Sequence, residues 1–304
     1  MSSILAAAVL LAPFPQTSPP SRHVLRDRLP PDVPGKILVS GYDSNLVHRY
    51  RADDGAPRGS SAVNGAQSIV LGTDGLLYVC AEKTHRVVRL DPQTLLRVDT
   101  FVLDDPATSE DENGPLNGPT SATFGPDGAL YVASFNNDQI LRFDGQTGDY
   151  LGVFVSAGLG GLNGPDAGTK FGADGLLYVP SFWNDRVLRY DAQGAFHDEF
   201  VSFREGNLRQ PRDLVQHEGD WYVASSFNDR ILRFDSQGNY IGIFASVPRP
   251  YSLAFNKHDD NLYVVSLAQN SVNVLAGDSG IFLDQIVPTG SAGLDGAVYL
   301  FFLD

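Results

Sequence analysis

Three aspartates hold the strongest chemical claim in this sequence. Asp166, Asp213 and Asp295 stand at similar places of a segment that the chain repeats. Hard divalent cations are held by several carboxylate and carbonyl oxygens. With Asn64, Asn117 or Asn163 nearby, the three could hold Ca²⁺ or Mg²⁺ if their repeats converge on one axis. The competing reading is that Arg212 neutralises the carboxylates, because no ligand-loop spacing of the EF-hand kind occurs. Gln67, Arg212 and Tyr251 occupy that same place in their own repeats. Trp183 breaks the repeat where a sister segment has Asn136. A tryptophan beside asparagines suits a sugar or an apolar ligand, by stacking plus hydrogen bonding. Capping of a neighbouring loop is the alternative. Of the histidines, only His85 is expected on the same face, which makes it the one candidate base. His23, His48, His197, His217 and His258 fall in the N-terminal tail, on third and fourth strands, or in turns. No axial histidine cluster for zinc follows, and no G-x-S-x-G elbow or Cys/His pairing occurs.

These residues need a scaffold, and the repeat supplies it. Gly125 to Phe154 reads as three short strands and two turns. A Leu-Tyr-Val core centred on Tyr78 recurs at Tyr131, Tyr178, Tyr222 (there Trp-Tyr-Val) and Tyr263, with spacings of 53, 47, 44 and 41 residues. Ile37-Leu38-Val39 is a sixth copy. These periods match propeller blades. An apolar run precedes each core and two more follow, giving four antiparallel strands per unit wrapped radially. The first unit lacks its inner strand. The C-terminal Gly293–Leu300 stretch matches the inner-strand pattern and is expected to complete that blade, which removes an open edge. The expected fold is therefore all-β: a six-bladed β-propeller over residues 35–304, closed by its C-terminal strand. Arg49, Arg89, Arg142, Arg189 and Arg233 share one register away from the axis, and such a repeated residue serves the scaffold first.

Composition narrows the partners. The chain has 304 residues, 42% hydrophobic and 19% charged, with a net charge of −14. A phosphate backbone would be repelled, so no nucleic-acid partner is expected. Cys80 is the only cysteine, so there is no intrachain disulfide, and its place in the Leu-Tyr-Val core reads as a small buried residue. Residues 1–34 read as signal-like or disordered. Ile4–Phe14 resembles a secretory apolar run, with small-residue cleavage near Ala12 or beyond Pro15, though no Lys or Arg precedes it. The expectation is a secreted or periplasmic protein, otherwise a cytoplasmic one. That run is too short to span a bilayer, and no later segment is a candidate span. A monomer is expected. Leu103–Gly118 is a long acidic insertion, read as a solvated loop, with a lid or a cation site as the sharper alternative.

The pattern P-x-x-x-x-F, G-x-D-G, LYVAS, a polar loop, then ILRFD is complete at Pro119–Phe154 and good at Pro165–Phe200 and Pro211–Phe244. It resembles the NHL-repeat and related six-bladed propellers, including streptogramin-lyase-like and gluconolactonase-like proteins, over Gly35 to Asp304. The resemblance implies the architecture and leaves activity open. Lyases of that kind use a His base with a carboxylate and magnesium, and the inner-strand histidines are missing here. The lactonase branch uses Glu, Asn and Asp around a divalent cation. Pro165-Asp166 and Leu294-Asp295-Gly296 are similar to its Pro-Asp-Gly strand, but no Glu matches its first-blade ligand. The first expectation is a binding module that meets a protein, glycan or small ligand at the channel mouth. The alternative is a metal-dependent lactonase or lyase.

Overall fold

The computed structural model describes residues 35–103 and 116–303. Strands β1 to β3 are Lys36–Gly41, Leu46–Arg51 and Pro57–Ala62. Strands β4 to β7 are Ala66–Leu71, Leu77–Ala81, Arg86–Leu90 and Arg97–Leu103. Strands β8 to β11 are Pro119–Phe124, Leu130–Ser134, Gln139–Phe143 and Tyr150–Val155. Strands β12 to β15 are Lys170–Phe171, Leu177–Ser181, Arg186–Tyr190 and Phe196–Val201. Strands β16 to β19 are Pro211–His217, Asp220–Ser225, Arg230–Phe234 and Tyr240–Ser246. Strands β20 to β23 are Pro250–Phe255, Leu262–Ser266, Ser271–Leu275 and Phe282–Val287, and β24 is Ala297–Leu303.

The strands form six four-stranded antiparallel sheets. Five blades run in chain order, and the first has the order β24-β1-β2-β3, so the last strand closes the ring as expected. Among the described residues, no helix is long and apolar enough to cross a membrane. The alternation of apolar and polar residues explains the packing. The second strand of each blade is buried along nearly its whole length, and the buried clusters join neighbouring blades. Tyr131 shows how: its ring meets Phe154 of its own blade and Phe171 of the next edge-to-face, with centroids 4.7 and 5.0 Å apart. The repeated arginines belong to this scaffold. Arg89 pairs with Asp99 and lies 4.8 Å over the Phe101 ring, and Arg189 does the same with Asp198 and Phe200 at 5.1 Å. Cys80 is fully buried, which pushes its thiol pKa up to about 12.

One irregularity recurs where the inner strands begin. In β4, Gln67 and Ser68 together oppose a single residue of β5, and β16 and β20 repeat this at Arg212-Asp213 and Tyr251-Ser252. In β8 and β24 the extra residues are Thr120 and Val298. Blade four goes further: only Lys170–Phe171 remains a strand, preceded by a lone bridge from Pro165 to Ser181. A bulge bends its strand and re-aims a side chain. In the five bulged strands it turns one residue toward the channel.

Candidate functional site at the channel mouth

Two sets of side chains surround the mouth. The bulges supply Gln67, Thr120, Arg212, Tyr251 and Val298, and the turns after the second strands of all blades but the fifth supply Tyr42, Glu82, Phe135, Phe182 and Leu267. Those turns end on residues with left-handed backbone: Asn45, His85, Asp138, Asp185, Asp229 and Asn270. Each side chain there accepts a hydrogen bond from a backbone N–H leading into the next blade. Gly118 donates to His85 Nδ1 at 2.9 Å, just as Gln210 donates to Asp185 at 2.9 Å and Arg249 to Asp229 at 2.8 Å. His85 is thus the second-blade copy of a blade-to-blade link. Its Nδ1 is occupied, and it is not among the residues lining the mouth, so the geometry gives no support to its use as a base.

The mouth holds a cavity of about 490 Å³, whose walls also include Asp43, Trp183, Gln210 and Arg249. All four residues expected to meet a ligand, Gln67, Trp183, Arg212 and Tyr251, line it. Its floor is one hydrogen-bonded chain. Gln67 Nε2 donates to Glu82 Oε2, Tyr251 donates to Gln67 Oε1 at 3.3 Å, and Arg212 Nη1 donates to Tyr251 at 3.2 Å and to Asp166 at 2.7 Å. The Arg212 guanidinium lies between two rings, 3.9 Å from Phe182 and 4.5 Å from Tyr251, and its Nε is buried without a partner among the described residues. Burial raises the Asp166 carboxyl above the usual carboxylate range, against the pull of Arg212. Desolvation also raises Glu82, and the Asp166 charge adds to it, while Gln67 and Arg212 oppose the shift. Trp183 stands at the rim, 58% exposed, its indole 6.2 Å from the Phe135 ring.

The three aspartates expected to hold a cation do not gather. Asp166 is fully buried and paired with Arg212, as the competing reading had it. Asp213 is buried beneath the mouth, and both of its oxygens are taken. Oδ1 accepts from Lys170 at 2.9 Å and the Leu214 N–H at 2.8 Å; Oδ2 accepts from Ser252 at 2.9 Å and the Leu253 N–H at 3.0 Å. Asp295 is exposed, bound by Asn270 at 2.8 Å. The expected register of the closing strand runs early there: Val298, not Asp295, takes the bulge position. Asp295 instead matches Asn117 and Asn163, since its carbonyl accepts from the Asp43 N–H as theirs accept from those of Asn136 and Trp183. Among the described residues, the one group of three metal-ligating side chains lies elsewhere. The acidic stretch 104–115 lies outside the described residues, as does the signal-like segment 1–34.

Glu82 is the site residue that sequence reasoning passed over. It stands where the other blades carry Tyr42, Phe135, Phe182, Ser226 and Leu267, so it departs from its repeat as Trp183 does. That departure was the available signal.

No protein-family model matches the chain, and no curated protein matches it by sequence. Solved structures do. A chain in the crystal structure of the nidogen/laminin complex is 14% identical with a TM-score of 0.69, over 88% of this chain and 98% of that one. Virginiamycin B lyase from Staphylococcus aureus is 15% identical with a TM-score of 0.60, over 90% of each chain. A protein of unknown function from Bacteroides caccae is 12% identical with a TM-score of 0.66, over 89% of this chain and 99% of that one. The chain is a six-bladed β-propeller with the architecture these proteins share.

Proposed function

We propose that this protein is a binding propeller that receives a small ring-bearing ligand, such as a sugar, at the channel mouth. One observation carries the reading: an exposed indole, Trp183, overhangs a cavity of about 490 Å³ whose floor is a continuous polar chain from Glu82 to Asp166. A ring stacks on the indole, and Glu82, Gln67 and Arg212 fix its polar groups. Export through the Ile4–Phe14 run belongs to the same proposal.

A second reading, elimination or hydrolysis at the same mouth, has one observation in its favour. Glu82 is half-buried at the cavity wall, and its raised carboxyl is suited to exchanging a proton with a bound ligand. The metal-dependent form of that reading, with Ca²⁺ or Mg²⁺ on Asp166, Asp213 and Asp295, gains no support from three carboxylates that are separately partnered. The test is calorimetric titration with a panel of saccharides and aromatic carboxylates. Saturable binding that Trp183→Ala abolishes supports the binding reading. Turnover of a bound compound that stops in Glu82→Gln replaces it with the second.

A further inference from the structure

The turns between first and second strands lie on the face opposite the mouth. In blades two, three and four they follow one Gly-x-Asp-Gly design, at Gly72, Gly125 and Gly172. Blades five and six depart from it. Glu218-Gly219 is a two-residue hairpin between β16 and β17, with φ of 50° and 89°, and Asp260 sits at φ 58° in the longer turn after β20. His217, Glu218 and Asp260 thereby present one ligand atom each, all within 4.8 Å of one another.

We propose that these three side chains form a surface site for a divalent transition-metal ion, Zn²⁺ foremost. His217 Nε2 and Asp260 Oδ1 are 3.3 Å apart. Two ligands at about 2.0–2.1 Å from a tetrahedral zinc sit roughly 3.3–3.4 Å from each other. The imidazole is already held in place: it stacks on Phe255 with centroids 3.8 Å apart and planes 9° from parallel, and Tyr222 braces Phe255 edge-to-face. A fixed ring loses little freedom on binding. Glu218 is exposed and able to close on the ion, and water completes the shell. One imidazole with two carboxylates favours zinc over calcium, which takes an all-oxygen shell. The ion would tie blade five to blade six.

The test is calorimetric titration of the chelator-treated full chain with Zn²⁺ near neutral pH. One site per chain is expected, with an upward shift in Tm, and no comparable heat from Ca²⁺. His217→Phe keeps the ring stack and removes the nitrogen, so it separates ligation from packing. It should weaken Zn²⁺ binding by more than about tenfold, the least that losing even an outer-shell partner costs. Glu218→Gln and Asp260→Asn, both at exposed positions, should weaken it as well. No binding up to about 1 mM Zn²⁺, the weak end of the affinity scale, overturns the proposal. So does binding that survives His217→Phe.

Discussion

Arg212 offers the sharpest test of the mouth's electrostatics. Its side chain is 15% exposed and its partner Asp166 is wholly buried, 2.7 Å away. Arg212→Met keeps an apolar stem between Phe182 and Tyr251 but leaves Asp166 alone in the floor. Breaking a buried pair from one side costs about 3–5 kcal/mol, a large share of the roughly 5–15 kcal/mol that holds a domain folded. Adding Asp166→Asn removes the stranded charge, so the double variant should recover about 1–3 kcal/mol as a coupling energy. The pH dependence has a definite sign. Asp166 is raised in the folded state, so the native protein binds the extra proton, and stability falls as pH climbs from the ordinary carboxylate value to the raised one. Without Arg212 that value rises further. The deficit of Arg212→Met should therefore be smallest near the ordinary carboxylate pKa of about 4 and grow toward neutrality. Urea unfolding of the four proteins at those two acidities reads all of this. Single variants that each cost under about 1 kcal/mol and simply add would refute the paired floor.

His85→Asn should keep the link to Gly118, as Asn45 keeps its own to Gly65 in blade one, whereas His85→Ala should cost about 1–3 kcal/mol in urea unfolding by orphaning that N–H. Asp213→Ala should destabilise by about 3–5 kcal/mol because it strands Lys170 and the Leu214 and Leu253 N–H groups, and added Ca²⁺ should not restore Tm. Of the two tryptophans, Trp221 is 4% exposed and Trp183 is 58% exposed, so acrylamide quenching should fall sharply in Trp183→Ala.

Much of the fold could be read from the chain because the Leu-Tyr-Val cores mark the buried second strands, and the blade period follows from their spacing. The repeated arginines could be read for the same reason: Arg89 and Arg189 recur with their carboxylate partners. The inner-strand bulges could not. An extra residue at Thr120 or Val298 leaves no mark in an apolar pattern, and the Gly293–Leu300 match to the inner-strand pattern begins four residues before the strand does at Ala297. Carboxylates that look convergent in a repeat can each be claimed by a local donor, as Lys170 claims Asp213. Trp183 was found by its departure from the repeat, and Glu82 could have been found by the same rule.

Whether the mouth holds a ring-bearing ligand is decided by saturation-transfer difference NMR. A fixed panel of saccharides and aromatic carboxylates would be run with the wild type, Trp183→Ala and Glu82→Gln. At least one saturable binder is expected, with the strongest transfer to its ring protons and a signal that vanishes in Trp183→Ala. A panel without binders, or binders indifferent to both substitutions, would rule the binding mouth out.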